Sequence, residues 1–292
     1  MPNYKTHSIH GEIISNDIPC EVKINVEALK SFCMGPDALI ITDFKTFEYQ
    51  HANNVRAFFA RMIRIIKEED LQENPMIMAY LYGQIDHYIL DLITHPLIYY
   101  MTSDIKTSKM DLHALMENWL DDYIMDKYQK NQLIYYKNVF YDDNQLMNLI
   151  DQIYDEVYAI KHEGIKYDIG IFLNAYLYDI FARRNILGIV KPINKIANIG
   201  DFTYSKNYDR VLPYLNLEHE IWYNPETGEQ MRDSFDDLWN KATELSLETI
   251  NDVNNFLYKD RPFKNKIILG DLSYNTGLPC GEGQSLKYIK KY

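Results

Sequence analysis

The sequence predicts an all-α protein, a multi-helix bundle folded as a single domain over residues 1–292. Two observations carry that expectation. Several segments repeat apolar residues at three- and four-residue spacing, which places them on one face of a helix. From Asp142 onward there is no clear strand, only helical segments and loops. The composition agrees: 47% hydrophobic and 14% aromatic residues are the makings of a packed core, not of a disordered chain.

Charge and cysteine content then exclude classes of function. The net charge of −12 argues against broad nucleic-acid binding, which calls for a basic face. Cys20, Cys33 and Cys280 make an odd number with no CxxC pair, so no disulfide framework is expected and a reducing compartment is the default. Met1 to Gly11 lacks the apolar run of a signal peptide. No uninterrupted apolar stretch reaches the roughly 18 residues of a membrane span. These features together suggest a cytoplasmic protein.

The elements follow in order. Met1 to Ile14 carries His7 and His10, which share a face if the segment is helical and otherwise belong to a polar tail. Val26 to Met34 is a short helix stopped by Gly35-Pro36, and Asp37 after that break could serve simply as a cap. His51 stands at the front of an amphipathic helix running from Ala52 to Ile66, where an isolated histidine is most simply a surface residue. Glu68 to Pro75 is a loop. A helix from about Tyr80 reaches His95-Pro96, and Pro96 is expected to kink or stop it at His95. Ser108 to Asp111 has the form of a helix cap, opening a helix that runs to about Tyr128. Helices then cover Asn144 to His162, Tyr167 to Arg184 and Leu187 to Ile199. Trp222 to Gly228 is a turn-rich loop, a last long helix runs from Ser234 to about Tyr258, and the tail from Arg261 is irregular. His162 and His219 read as surface residues.

The central helix holds the chemistry. From His87 on it is apolar almost all round, except for His87, Asp91 and His95 at successive steps of four. Such steps keep side chains on one slowly drifting stripe. Ionisable groups on an apolar helix must be satisfied, because burying them unpaired is costly. Metal coordination would do so, with the two oxygens of Asp91 able to bridge two cations; a His–Asp–His hydrogen-bonded chain inside a core would look the same. His113 and Glu117 are also four apart and on one face, a pairing that is common at solvent-facing positions.

As an ordered set the residues are more specific. Gly35-Pro36-Asp37, His51, His87-xxx-Asp91-xxx-His95-Pro96 and His113-xxx-Glu117, preceded by a histidine near the N-terminus, resemble the zinc-dependent phospholipase C family, which shares its helical fold and trinuclear zinc site with S1/P1-type nucleases. The motifs cover roughly Thr6 to Leu120. The resemblance implies a bundle of phospholipase C / P1 nuclease type, with a metal-site half over about 1–130 and a helical half over about 140–260 before the irregular tail. It implies that Asp37, His51, His87 and Asp91 hold one zinc. His95, His113 and Glu117 would hold a second with a bridging water. Asp91 would bridge to a third, completed by N-terminal ligands. The family uses its processed N-terminal amine and a nearby histidine there. This chain begins Met1-Pro2, so either His7 and His10 replace those ligands or the third site is altered or lost.

The resemblance therefore implies a metal-dependent phosphoric diester hydrolase with two or three zinc ions. Ligands of imidazole and carboxylate type suit zinc and also manganese or iron. Metal-activated water would attack a phosphodiester, a phospholipid headgroup among the candidates, and Asp37 could orient or deprotonate that water. Three carboxylates facing up to three divalent cations leave a positive cavity despite the acidic surface. The competing readings are an S1/P1-like nuclease or small-molecule phosphodiesterase, and a non-catalytic helical metal-binding protein. Neither stable nucleic-acid binding nor a particular oligomeric state is expected.

Overall fold

A computed structural model describes residues 4–19, 21–102, 110–130, 143–184, 210–281 and 286–290, with backbone alone for 110, 111, 114, 115 and 175–184, and the statements below concern these residues. The architecture is a helical bundle around one long helix. In chain order the helices are α1 (Tyr4–Ser15), α2 (Val26–Phe32), α3 (Phe44–Ala52), α4 (Val55–Glu68), α5 (Pro75–Thr102), α6 (Met110–Lys127), α7 (Asn144–Tyr158), α8 (Glu163–Arg184), α9 (Phe235–Lys259) and the single turn α10 (Lys266–Leu269). Short 3-10 turns cover Gly35–Ile40, Leu71–Glu73 and Leu212–Tyr214.

α5 is the axis, buried on nearly every face from Ile77 to Thr102. α1, α2, α6 and α9 pack directly against it. Gly83 lets α2 come close: a Cβ there would lie 2.6 Å from the backbone carbon of Phe32. α9 opens with the Ser234–Asp237 capping box, in which side chain and backbone satisfy each other's orphan groups. Its apolar face sets Leu238, Trp239, Ala242 and Ile250 into the core.

Several elements differ from the sequence expectation, each for a physical reason. α5 does not stop at His95 but runs on to Thr102 with Pro96 inside it. A proline inside a helix costs about 3 kcal/mol; Leu97, Ile98 and Met101 beyond it are buried core residues, and burying each contributes about 1.5–3 kcal/mol. His51 sits in the last turn of α3, not at the front of the next helix. Asp43 caps α3 by accepting from the Thr46 N–H at 3.2 Å, and Asn54, with φ 56°, breaks the chain before α4. The turn-rich loop after Trp222 is bounded by a two-strand ribbon, β1 (Trp222–Tyr223) and β2 (Gln230–Met231), antiparallel with Trp222 opposite Met231. The loop before α5 and the tail contain the Leu71–Glu73 turn and α10. The expected helix from Leu187 to Ile199 lies outside the described residues, as do Ser108 and Lys109 of the expected cap. His162 and His219 are exposed. Among the described residues no helix is long and apolar enough to cross a membrane.

Candidate metal centre

The site is built on α5. His87, Asp91 and His95 are each fully buried. At 1.5 Å rise per residue, the two histidines stand about 12 Å apart along the axis, with Asp91 between them. Neighbouring elements therefore supply partners separately to each end.

At the first end, the 3-10 turn Gly35–Ile40 delivers Asp37 and α3 delivers His51. His51 Nε2 lies 3.2 Å from Asp37 Oδ1 and 4.0 Å from Asp91 Oδ2. His87 Nε2 lies 3.2 Å from Asp91 Oδ2 and 4.0 Å from Asp37 Oδ1. Gly35 makes this approach possible: its φ is +57°, and a Cβ would lie 2.3 Å from His87 Cγ. Only glycine satisfies both demands. On the other side of Asp91, α1 places His7 Nε2 3.3 Å from Asp91 Oδ1, with its ring stacked on His87 at 4.1 Å between centroids. The two oxygens of Asp91 thus face different histidines. At the far end of the stripe, His95 meets His113 and Glu117 of α6; their rings stack at 6.0 Å, and His113 Nε2 is 2.8 Å from Glu117 Oε1. Three groups result, each with its ligand-type atoms within 4.8 Å of one another: Asp37, His51 and His87; His7, His87 and Asp91; and His95, His113 and Glu117.

Four of the imidazoles are held from behind through Nδ1. His51 Nδ1 donates to Phe47 O at 2.7 Å, His87 Nδ1 to Cys33 O at 3.0 Å and His95 Nδ1 to Tyr274 O at 2.9 Å. His113 Nδ1 is 3.2 Å from Thr102 Oγ1, and since that hydroxyl donates to Ile98 O, it accepts from the ring. A carbonyl can only accept, so the first three contacts select the Nδ1–H tautomer and leave Nε2 as a lone pair. Those Nε2 atoms of His51, His87 and His95 are buried with no hydrogen-bond partner among the described residues. The same holds for both nitrogens of His7, both oxygens of Asp91 and Oδ1 of Asp37. So many orphaned buried atoms converging in one place are not tolerable in a plain core. They fit a set of divalent cations, and their imidazole and carboxylate donors suit zinc as well as manganese or iron.

The charge state of three of the rings fits too. Burial holds the pKa of His95 down to about 3, and burial likewise lowers those of His7 and His113. These three rings are therefore neutral near pH 7, as ligands must be. Burial opposes ionisation of Asp91, but His95 and His87 outweigh it and keep its carboxyl well below the usual range. For His87 burial acts downward, and Asp91 and Asp37 override it, so its pKa is raised.

One expected ligand stands apart. His10 is also buried on α1, but its Nδ1 lies 2.7 Å from Asp86 Oδ1 and its Nε2 3.0 Å from Thr243 Oγ1. Both nitrogens are engaged, and its ring meets Trp239 edge-on at 4.6 Å. His10 and His7 are three residues apart, about 300° around the helix, so a step of one turn carried His10 onto the neighbouring carboxylate. The sequence reading did not find the carbonyl partners of the imidazoles. Backbone acceptors leave no residue-type signature, and the single traceable hint was Gly35 before Pro36.

A model of the zinc-dependent phospholipase C family matches residues 6–164, more than half of the chain and every residue of the three histidine–carboxylate groups. No curated protein and no solved structure matches the chain. With the matched span and the three histidine–carboxylate groups in agreement, the chain belongs to the zinc-dependent phospholipase C family.

Proposed function

We propose that the protein is a zinc-dependent phosphodiesterase that hydrolyses a phospholipid-type phosphodiester at the three groups around α5. The observation that carries this reading is Asp91, whose two buried, unpartnered oxygens face His87 on one side and His7 on the other. Asp37, His51, His87 and Asp91 would hold one ion. His95, His113 and Glu117 would hold another, and His7 with Asp91 would hold a third; His10 has no part in it. Divalent ions held there supply a water ionised near neutral pH and neutralise charge on the phosphate oxygens.

The chain's own residues do the rest. The carbonyls of Cys33, Phe47 and Tyr274 orient the imidazoles. Asp37 is the one carboxylate of the first group that reaches solvent, with 16% of its side chain exposed. That exposure suits it to orient the attacking water and accept its proton.

The test is hydrolysis of a chromogenic phosphocholine diester and of phosphatidylcholine vesicles by the zinc-loaded protein, with Asp37→Asn beside it. Turnover of both substrates, reduced about 10²- to 10⁴-fold in a variant that keeps its zinc, is the expected result. Turnover at the original rate in that variant removes the base role from Asp37. No turnover of any phosphodiester by a zinc-loaded protein ends the hydrolase reading.

A further inference from the structure

The loop Asp271–Cys280 follows α10 and lies well beyond the span matched by the family model. It closes on itself: Ser273 N–H donates to Leu278 O at 2.8 Å, Gly277 N–H to Ser273 O at 3.0 Å and Cys280 N–H to Asp271 O at 2.8 Å. Leu272 and Pro279 pair across it. It is also tied to three helices. Asp271 accepts from the Arg56 N–H of α4 at 2.8 Å, the Tyr88 hydroxyl of α5 donates to Leu272 O at 3.1 Å, and Gly281 N–H donates to Ala52 O of α3 at 3.2 Å.

At its centre Tyr274 touches both ends of the histidine stripe. Its N–H donates to the carbonyl of His51 at 2.9 Å, and the Ser273 hydroxyl donates to that same carbonyl at 3.0 Å. Its own carbonyl accepts from His95 Nδ1 at 2.9 Å. Its ring is fully buried, 5.1 Å from the ring of His51, 5.8 Å from His87 and 4.6 Å from Tyr88. One residue therefore fixes the backbone of one histidine, the tautomer of a second and the ring face of a third. Those three histidines stand on two helices that are remote in sequence.

We propose that this loop is a positioning strap for the metal centre, with Tyr274 as the residue that keeps His51 and His95 in register with each other. The inference rests on the metal reading above. Tyr274 has no assigned contact with substrate; it acts through the imidazoles. Partners behind a metal-bound histidine typically govern affinity by about 10- to 100-fold.

The experiment compares zinc affinity, by chelator competition, in the unaltered protein, Tyr274→Ala, Tyr274→Phe, Ser273→Ala and Ile250→Ala. Tyr274→Ala removes the ring that seats the loop and is expected to weaken zinc binding about 10- to 100-fold. Tyr274→Phe keeps ring and backbone and is expected to restore it. Ser273→Ala, a milder change that removes one bond to the His51 carbonyl, is expected to weaken it by a few-fold. Ile250→Ala opens the core on α9 and measures what mere destabilisation does to binding. Nitrogen-15 shifts of the His95 ring in metal-free protein read the tautomer directly: fixed Nδ1–H in the unaltered chain, mixed in Tyr274→Ala. Zinc affinity in Tyr274→Ala and Ser273→Ala no weaker than in Ile250→Ala overturns the strap and leaves the metal centre standing. Unaltered protein that takes up no zinc overturns the metal centre and the strap together.

Discussion

His7 and His10 lie one turn apart on α1, both fully buried, and each faces a buried carboxylate of α5. His10 meets Asp86 and Thr243, so both ring nitrogens have partners. His7 meets Asp91, and neither of its nitrogens has a hydrogen-bond partner among the described residues. The helices, the residue types and the burial are alike; the difference is satisfaction. In the His10 contact both ring nitrogens are bonded, only Asp86 Oδ2 is left without a hydrogen-bond partner among the described residues, and the contact ties α1, α5 and α9 together. A His–Asp contact left open needs a ligand to be tolerable in a core.

The largest test of this contrast is Asp91→Ala. It removes the carboxylate shared between His7 and His87 and should strip most bound zinc, lowering phosphodiester hydrolysis by more than the roughly 100-fold seen for outer partners. Elemental analysis and turnover measure it; unchanged zinc content would make the His7 side no different from the His10 side. His10→Gln is the reciprocal change. It leaves Asp86 buried without its histidine and should cost about 3 kcal/mol in urea unfolding while zinc content at saturation stays the same. Zinc lost from His10→Gln would break the comparison from the other direction.

Acidity sharpens it further. His7, His95 and His113 have lowered values in the folded chain, so below the ordinary 6.5 the unfolded chain binds protons that the folded chain does not. Stability of metal-free protein should fall as pH drops from about 6.5 toward the His95 value of about 3, by about 1.4 kcal/mol per pH unit for each proton held back. His87 acts oppositely: its raised value adds stability that is fully present below 6.5 and lost as pH rises through the folded value. Urea midpoints of chelated protein across pH 5 to 8 should therefore peak near pH 6.5, whereas a flat profile would mean that the imidazoles are not held as described. The smallest effect is expected at the exposed histidines. His162→Ala and His219→Ala should each shift stability by no more than about 0.5 kcal/mol and leave zinc content alone.

Much of this molecule was legible in the order of its residues. Helical periodicity located α4, α7 and α9 to within a few positions, because a 3.6-residue repeat of apolar side chains is a local property of the chain. Steps of four put His87, Asp91 and His95 on one stripe and paired His113 with Glu117, for the same local reason. The resemblance marked Asp37, His51, His7 and His10 as candidates for the same centre; the folded chain groups the first three with His87 and Asp91 and sets His10 against Asp86.

What the sequence could not settle was decided between elements. The two α1 histidines carried equal claims, and only the packing of α1 on α5 turned His7 toward Asp91 and His10 toward Asp86. Pro96 should have ended α5 by local rules, but the buried residues beyond it outweigh the lost backbone bond. The fixing of the imidazoles lies in carbonyls of Cys33, Phe47 and Tyr274, and a carbonyl is the same in every residue. Sequence specifies which side chains are available and how they repeat along one helix; which buried nitrogen finds a partner depends on the approach of a second helix, and that distance exists only in the folded chain.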